Sequence, residues 1–268
     1  MLRGFQELYQ RGVSAKMAEV RPRSVVYSLP SIPYFHTMNT EQLFTSEGGK
    51  FCIPFNRFQE KLSLIKAFIF DWDGVFNDGT KDHQGSSSFN EVDSMGTNLL
   101  RFSHWLLTGK LPVMAIMSGE KNQLSFNYTN REHFHNGYFK MLHKALALEH
   151  FTEAHALKQE EVAFMFDDAL DLGLAANAGL RIMVGRSGNP LFRKYVADRN
   201  LADYVTSGSP YAVREACELI MGTRGNYEQA VELRADFADT YQQYLKQRQS
   251  ITPAYFTLED LNVVPKEI

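Results

Sequence analysis

Cysteine is nearly absent: Cys52 and Cys217 are the only two in 268 residues. They lie far apart without a metal-ligand spacing, which excludes a disulfide framework and fits a reducing compartment. Long apolar runs are missing as well. The longest, such as Leu111 to Met117, fall far short of a membrane span, and the polar start Met1 to Gln10 has no signal-peptide core. A cytoplasmic protein with no membrane partner is therefore expected. Nor is there an excess of one charge, since a formal net charge of -3 with 22% charged residues gives no basic field for nucleic acid and no polybasic patch for an anionic membrane. What remains is a small soluble partner. No internal repeat or low-complexity segment interrupts the chain.

What is present is organised around residues 66 to 79. The apolar run Ala67 to Phe70 is short enough for a strand buried on both faces, and Asp71 and Asp73 follow it at once. Similar strands are predicted at Val113 to Met117, ending at Ser118-Gly119, and at Val162 to Phe166, ending at Asp167-Asp168. Gly137 to Phe139, Arg181 to Val184 and Asp203 to Thr206 are weaker strands. Helices are expected at 56 to 65, 95 to 107, 121 to 131, 140 to 156 and 211 to 221, and strands alternating with helices in this way imply a parallel sheet with helices on both faces, an α/β fold. The polar stretch Asp78 to Val92, with Gly79 and Gly85, reads as a hairpin or loop overhanging the strand ends. Residues 1 to 61 form an N-terminal extension, with a helix over 1 to 20 and extended, proline-marked segments over 21 to 54. The core spans 62 to 223. Residues 224 to 268 form a C-terminal helical extension, because Ala230, Leu233, Phe237, Tyr241 and Tyr244 recur at helical steps.

Two strands thus deliver acidic pairs, Asp71 with Asp73 and Asp167 with Asp168, to the edge of the sheet where open α/β folds bind ligands. Carboxylates gathered there repel one another unless a cation sits between them, and a hard, oxygen-liganded ion such as Mg²⁺ is the natural choice.

These residues resemble a known family. Asp71-Trp72-Asp73-Gly74-Val75, Ser118, Lys144 and Asp167-Asp168-Ala169-Leu170-Asp171 are similar to the four motifs of the haloacid dehalogenase (HAD) superfamily, in their usual order. The continuation Asn77-Asp78-Gly79, with Phe89 to Gly96, Lys144 to Leu148, Ala202 to Thr206 and Ala212 to Glu215, resembles the 3-deoxy-D-manno-octulosonate 8-phosphate phosphatase group. The resemblance implies a Rossmann-like HAD fold and Mg²⁺-dependent hydrolysis of a small phosphorylated metabolite. It assigns Asp71 as nucleophile and Asp73 as general acid and base. Ser118 would donate to a phosphoryl oxygen and Lys144 would neutralise its charge, while Asp71, Asp167 and the backbone carbonyl of Asp73 would hold the metal. Asp168 and Asp171 would orient water ligands or Lys144, and Gly119 would touch substrate.

An acid at position 73 itself favours phosphate chemistry, because a halide leaving group needs no proton. The intervals of 47 residues from Asp71 to Ser118 and 26 from Ser118 to Lys144 leave no room for a full cap domain. The site should be open within one subunit, and by analogy a homo-oligomer, a tetramer, would close it. Arg214 could pair with a substrate carboxylate, or equally form an ordinary ion pair. His133, His135 and His143 read as surface residues rather than a zinc site, and Trp72 as core. The rival reading is a noncatalytic oligomerisation or regulatory module binding a protein partner, which bulky Phe166 before the acid pair and the long termini would suit. A phosphotransferase or mutase is disfavoured by the lack of a cap to exclude water.

Overall fold

The computed structural model describes residues 39–208 and 210–268. The helix expected over 1 to 20, and the extended segments as far as residue 38, lie outside them. Their core is one nine-stranded sheet in the order β1-β7-β6-β5-β2-β3-β4-β8-β9. The strands are β1 (Lys50–Phe51), β2 (Ala67–Phe70), β3 (Val113–Met117), β4 (Asn136–Phe139), β5 (Val162–Phe166), β6 (Leu180–Met183), β7 (Tyr204–Val205), β8 (Ala254–Glu259) and β9 (Asn262–Pro265). All neighbours run parallel except at the two edges, where β1 pairs antiparallel with β7 and β9 with β8. The α/β architecture expected from alternating patterns is therefore present, with antiparallel margins. The helices are α1 (Thr40–Ser46), α2 (Phe55–Leu64), α3 (Glu91–Thr108), α4 (Gln123–Arg131), α5 (Lys144–Ala154), α6 (Leu172–Ala175), α7 (Pro190–Asp198), α8 (Ala212–Arg224), α9 (Tyr227–Ala235) and α10 (Asp239–Gln249).

Period-two alternation sends β2 side chains to both faces, and each face is roofed by helices. Phe68 and Phe70 join Leu62, Leu99, Val213 and Ile220 on one side. Ala67 and Ile69 join Leu148, Phe151, Leu174 and Val196 on the other. Because both faces are covered, β2, β3 and β5 read as nearly continuous apolar runs. After β2 the chain builds outward through β3 and β4, then returns to lay β5 on the other side of β2. The reversal opens a crevice between the carboxyl ends of β2 and β5, the ligand-binding point of doubly wound sheets.

Two expectations need correction. Residues 40–46 are helical, not extended, and their start carries a capping box in which Asn39 accepts from the Gln42 amide and the Gln42 side chain accepts from the Asn39 amide. The C-terminal extension is only half helical. Its single long helix breaks at Phe237, which takes a left-handed φ of 48° between α9 and α10, and the chain then forms the hairpin β8–β9 on the free edge of β4. Of the hairpin or loop expected over 78 to 92, the loop is found, since residues 77–90 are turns with no paired strand. The broken tail still packs as its periodicity suggests, with Tyr241, Tyr244 and Ala230 against Phe102 on the outer face of α3. No described helix is long and apolar enough to cross a membrane.

Helix α3 is thus packed on both sides, and His104 on it is almost inaccessible. Burial, and then the charge of Arg224, depress its pKa to about 3. Its folded-state pKa is lowered below the unfolded value near 6.5, so the unfolded chain binds more protons than the native one as pH falls below that value. The stability that wild type holds over a His104→Gln variant should accordingly narrow by about 1.4 kcal/mol per pH unit between pH 6 and 4. Urea denaturation of both proteins at several pH values checks this, and a constant gap would contradict a neutral buried imidazole.

Candidate active site

The carboxyl ends of β2, β3 and β5, adjacent in the sheet, carry Asp71, Ser118 and Asp167. Lys144 arrives from the first turn of α5, after β4. Its ammonium group lies 2.7 Å from Asp71 Oδ1 and also donates to Asp171 Oδ1. Both contacts are buried. The other Asp171 oxygen accepts from the Asp167 and Asp168 amides, at 3.3 Å each, which fixes this carboxylate from both sides. Ligand atoms of Asp71, Asp167 and Asp171 lie within 4.8 Å of one another.

The electrostatics follow from this crowding. Burial pushes the Asp71 carboxyl well above its ordinary range, with Lys144 opposing and Asp171 and Asp167 adding to the rise. Burial, followed by Asp171, lifts Asp167 to about 7. Burial would depress Lys144, yet Asp71 and Asp171 outweigh it and hold its pKa above the usual value. Neighbouring carboxyls that resist ionising together, all presenting oxygen, form a donor set suited to a hard divalent cation. The residues therefore fit Mg²⁺.

A tight turn carries Asp73. Gly74 has a φ of 85°, and a Cβ there would meet Asp167 Oδ2 at 2.0 Å and the Arg186 guanidinium at 2.6 Å, so conformation and space both require glycine. Asn77 pins the turn by accepting from the Gly74 and Gly79 amides and donating to the Trp72 carbonyl. Trp72 is buried against Phe76, and its indole N–H donates to the Ser87 carbonyl. The loop thereby returns to the acid: Ser87 Oγ donates to Asp73 Oδ1, and Lys81 Nζ lies 2.6 Å from the same oxygen. Asn122, at the start of α4, donates to Ser87 Oγ at 3.1 Å.

The structure thus brings together Asp71, Asp73, Ser118, Lys144, Asp167 and Asp171. Asp168 is exposed and turned away to cap the Ala169 amide. Gly119 faces Leu170, whose Cδ2 would lie 2.5 Å from a Cβ there. Arg214 is not part of the group: its Nε donates to Glu218 at 2.6 Å and its amide to Asp93, so the ordinary ion pair is what is found. Phe166, which directly precedes Asp167, lies in the core. Its ring is fully buried beside Phe164 on the α5–α7 face. Of the three histidines only His143 is exposed, whereas His133 and His135 are half-buried and hydrogen-bond to the chain through the Ile251 carbonyl and the Met114 amide.

Arg186, Lys81, Ser87 and Asn122 escaped the sequence reading. Arg186 donates to the Gly74 carbonyl and stands 3.4 Å from Asp167. Its signal was its place just beyond the end of β6, a fourth parallel strand at the same edge. With this cover the site is not open: Asp71 is 7% exposed, Ser118 1% and Lys144 2%. The accessible space lies to one side, a cavity of about 1260 Å³ that meets the group at Asp167 and Asp168 and is bounded by Arg186, Asn189, Lys50 and Thr206.

No family model matches the chain. Among curated proteins it is 28% identical over 176 residues to the 3-deoxy-D-manno-octulosonate 8-phosphate phosphatase KdsC of Escherichia coli K12, covering 63% of this chain and 86% of that protein. Among solved structures it resembles a HAD superfamily (subfamily III A) hydrolase of Legionella pneumophila, with 28% identity and a TM-score of 0.57 over 68% of this chain and 95% of the other. It also resembles the Moraxella catarrhalis 3-deoxy-D-manno-octulosonate 8-phosphate phosphatase, solved with magnesium, phosphate and KDO. That match has 25% identity and a TM-score of 0.56, over 67% of this chain and 98% of that one. The fold is that of the HAD-type α/β structures it matches, and the chain resembles the KdsC group of phosphatases.

Among the described residues Lys144 is the one cation paired with both Asp71 and Asp171, so Lys144→Met should cost about 3–5 kcal/mol, the range for removing one partner of a buried ion pair. Urea denaturation at pH 8 in chelator measures it. A loss below about 1 kcal/mol would mean the carboxylates are neutralised by something other than Lys144.

Proposed function

We propose that this chain is a Mg²⁺-dependent phosphatase that hydrolyses a small sugar-acid phosphate through an aspartyl-phosphate on Asp71. The observation that carries the reading is Asp71 itself, a buried carboxylate held 2.7 Å from Lys144 and beside Asp167. Its likeness to phosphatases of 3-deoxy-D-manno-octulosonate 8-phosphate supports the substrate class.

Asp71, Asp167 and the backbone carbonyl of Asp73 would hold Mg²⁺, which when bound supplies positive charge to the phosphoryl oxygens. The Asp71 carboxylate attacks phosphorus, and the leaving alcohol takes a proton from Asp73. Lys144 and the Ser118 hydroxyl hold the phosphoryl oxygens as charge shifts onto them, the electrostatic work that dominates phosphoryl transfer. Asp73 then removes a proton from water, which attacks the aspartyl-phosphate, releases phosphate and restores Asp71. Ser87 and Lys81 aim Asp73 throughout, while Asp171 aims Lys144. Two free cysteines, one buried and one half-buried, suit a reducing cytoplasm. Assembly of the chain into a homo-oligomer completes the reading, with gel filtration and light scattering as its check.

Wild type should release phosphate from sugar-acid phosphates with Mg²⁺ and not with chelator, and Asp71→Asn should release none while keeping its circular dichroism. Appreciable turnover by that variant would sink the nucleophile assignment. Ser118→Ala should lose on the order of 3 kcal/mol of transition-state stabilisation, roughly a hundredfold in kcat, as for loss of one oxyanion donor. A measurement independent of activity is the melting temperature. Mg²⁺ at about a hundred times its Kd should stabilise wild type by about 2.7 kcal/mol, and Asp167→Asn distinctly less. Equal shifts in the two proteins would remove Asp167 from the metal site.

A further inference from the structure

We propose that a slot between α3 and α10 binds a small organic phosphate through Arg234 and Arg248. The inference goes beyond the phosphatase reading and does not depend on it, because the slot shares no lining residue with the cavity at the acid edge. Its walls are two helical stripes. Glu91, Ser94, Met95 and Asn98 recur at three- and four-residue steps along α3, and Tyr241, Leu245 and Arg248 do so along α10. The ends of α4 and α9 close the slot with Arg131, Glu132, Arg234 and Phe237. Its volume of about 260 Å³ is just below the roughly 300–1,000 Å³ of drug-sized ligand sites, so the ligand is small.

Contacts place the charges together. Arg131 Nε lies 3.2 Å from one Glu132 oxygen and Arg248 Nη1 3.5 Å from the other. Arg248 Nη2 donates to the Arg131 carbonyl at 3.4 Å, and Arg101, fully buried behind them, donates to the Glu132 carbonyl. Arg131 is satisfied, since its Nη2 donates to both Glu91 oxygens at 2.6 Å. Arg248 is not. It is 8% exposed, both of its contacts are long, and its Nε is buried without a partner. Arg234 pairs with no acid among the described residues; its guanidinium lies 4.6 Å from the centre of the Tyr241 ring, and its Nε also lacks a partner.

Four guanidinium groups thus meet two carboxylates, an excess of two positive charges in a partly closed slot, where under-satisfied arginines are costly. A phosphate dianion cancels that excess, and its oxygens accept from the planar guanidinium forks in pairs. A carboxylate cancels only half of it. Asn98 Oδ1 accepts from the Tyr241 hydroxyl at 3.1 Å, which leaves the Asn98 amide nitrogen as a neutral donor to the same group. Met95, Leu245 and Phe237, the last 51% exposed, offer apolar surface to the rest of the ligand. The ligand class is therefore a phosphate on a short apolar or aromatic body.

The test is isothermal titration calorimetry of the full chain at pH 8 in chelator. The probes are phenylphosphonate, whose carbon–phosphorus bond is not a phosphoester, inorganic phosphate and benzoate. Wild type should bind phenylphosphonate more tightly than either of the others. Arg234→Gln should weaken that binding about tenfold or more, as for loss of one hydrogen bond between charged groups, and Arg234→Lys, which keeps the charge, should lose less. Arg248→Gln should act as Arg234→Gln does, and half-buried Arg234 carries the test if the buried Arg248 variant does not fold. Phe237→Asn, with a residue that accepts the left-handed φ of 48° found there, should weaken phenylphosphonate and leave inorganic phosphate unchanged. Binding that survives Arg234→Gln undiminished comes from another site, the acid edge included, and overturns the inference. Benzoate bound as tightly as phenylphosphonate overturns the phosphate class, and no binding of any probe by wild type overturns the site.

Discussion

The mutual repulsion of carboxylates at one end of the sheet is the constraint on which the rest depends. Asp71, Asp167 and Asp171 lie within 4.8 Å of one another in a buried setting, where three unscreened negative charges could not coexist. The fold answers with Lys144, whose charge burial opposes and those carboxylates favour. Neither side of this arrangement is stable alone. Four segments, after β2, β4 and β5 and at the 3-10 turn carrying Asp171, must therefore converge together, and the order of strands β5-β2-β3 is what makes them do so.

A second layer fixes the acid that the proposed chemistry needs to be mobile in protonation but not in place. Trp72 points into the aromatic cluster with Phe76, Phe89 and Tyr128, so the residue between the two key acids is an anchor. Its indole holds the Ser87 carbonyl, and Ser87 in turn holds Asp73. The loop over the site is thus fastened to the core at the same residue that separates nucleophile from acid. With no cap domain among the described residues, the side chains held over this edge are those of the loop, on Asp73, and of Arg186, on Asp167 and Gly74.

Much of this was legible in the sequence because burial on both faces writes strands as short apolar runs, and the acids stood immediately after them. β2, β3 and β5 and the groups at their ends are clear for that reason. The hairpin β8–β9 was not. Its turn is Asp260-Leu261, both at positive φ, in place of the Asn-Gly or Asp-Gly that marks such turns. Its partner strand, β4, is far away in sequence. Gly137 shows the pairing only afterwards: a Cβ there would lie 2.6 Å from the Tyr255 ring. Helix α1 had a readable signal in its Asn39 and Gln42 capping box, masked by the prolines before it. Arg186 and Lys81 were hidden for another reason. An arginine or lysine in a polar loop resembles any solvated residue until the fold sets it against a carboxylate, and the opposite error made Arg214 look available when Glu218, one helical turn on, already held it.

The additions at the two ends of the core act on different parts of the problem. The hairpin and α9–α10 cover the β4 edge and the outer face of α3, and they stiffen the side of the sheet that carries Ser118 and Lys144. Strand β1 extends the opposite side, where Phe51 packs on Tyr204 and Phe58 and Lys50 pairs in register with Val205. That side has the cavity. A strand of two residues contributes little to sheet stability, yet it moves the sheet edge one step further from the acids and sets a cation at that distance. Lys50 and the acids are thereby placed on different strands of one sheet, so the separation between their backbones is fixed by ladder hydrogen bonds.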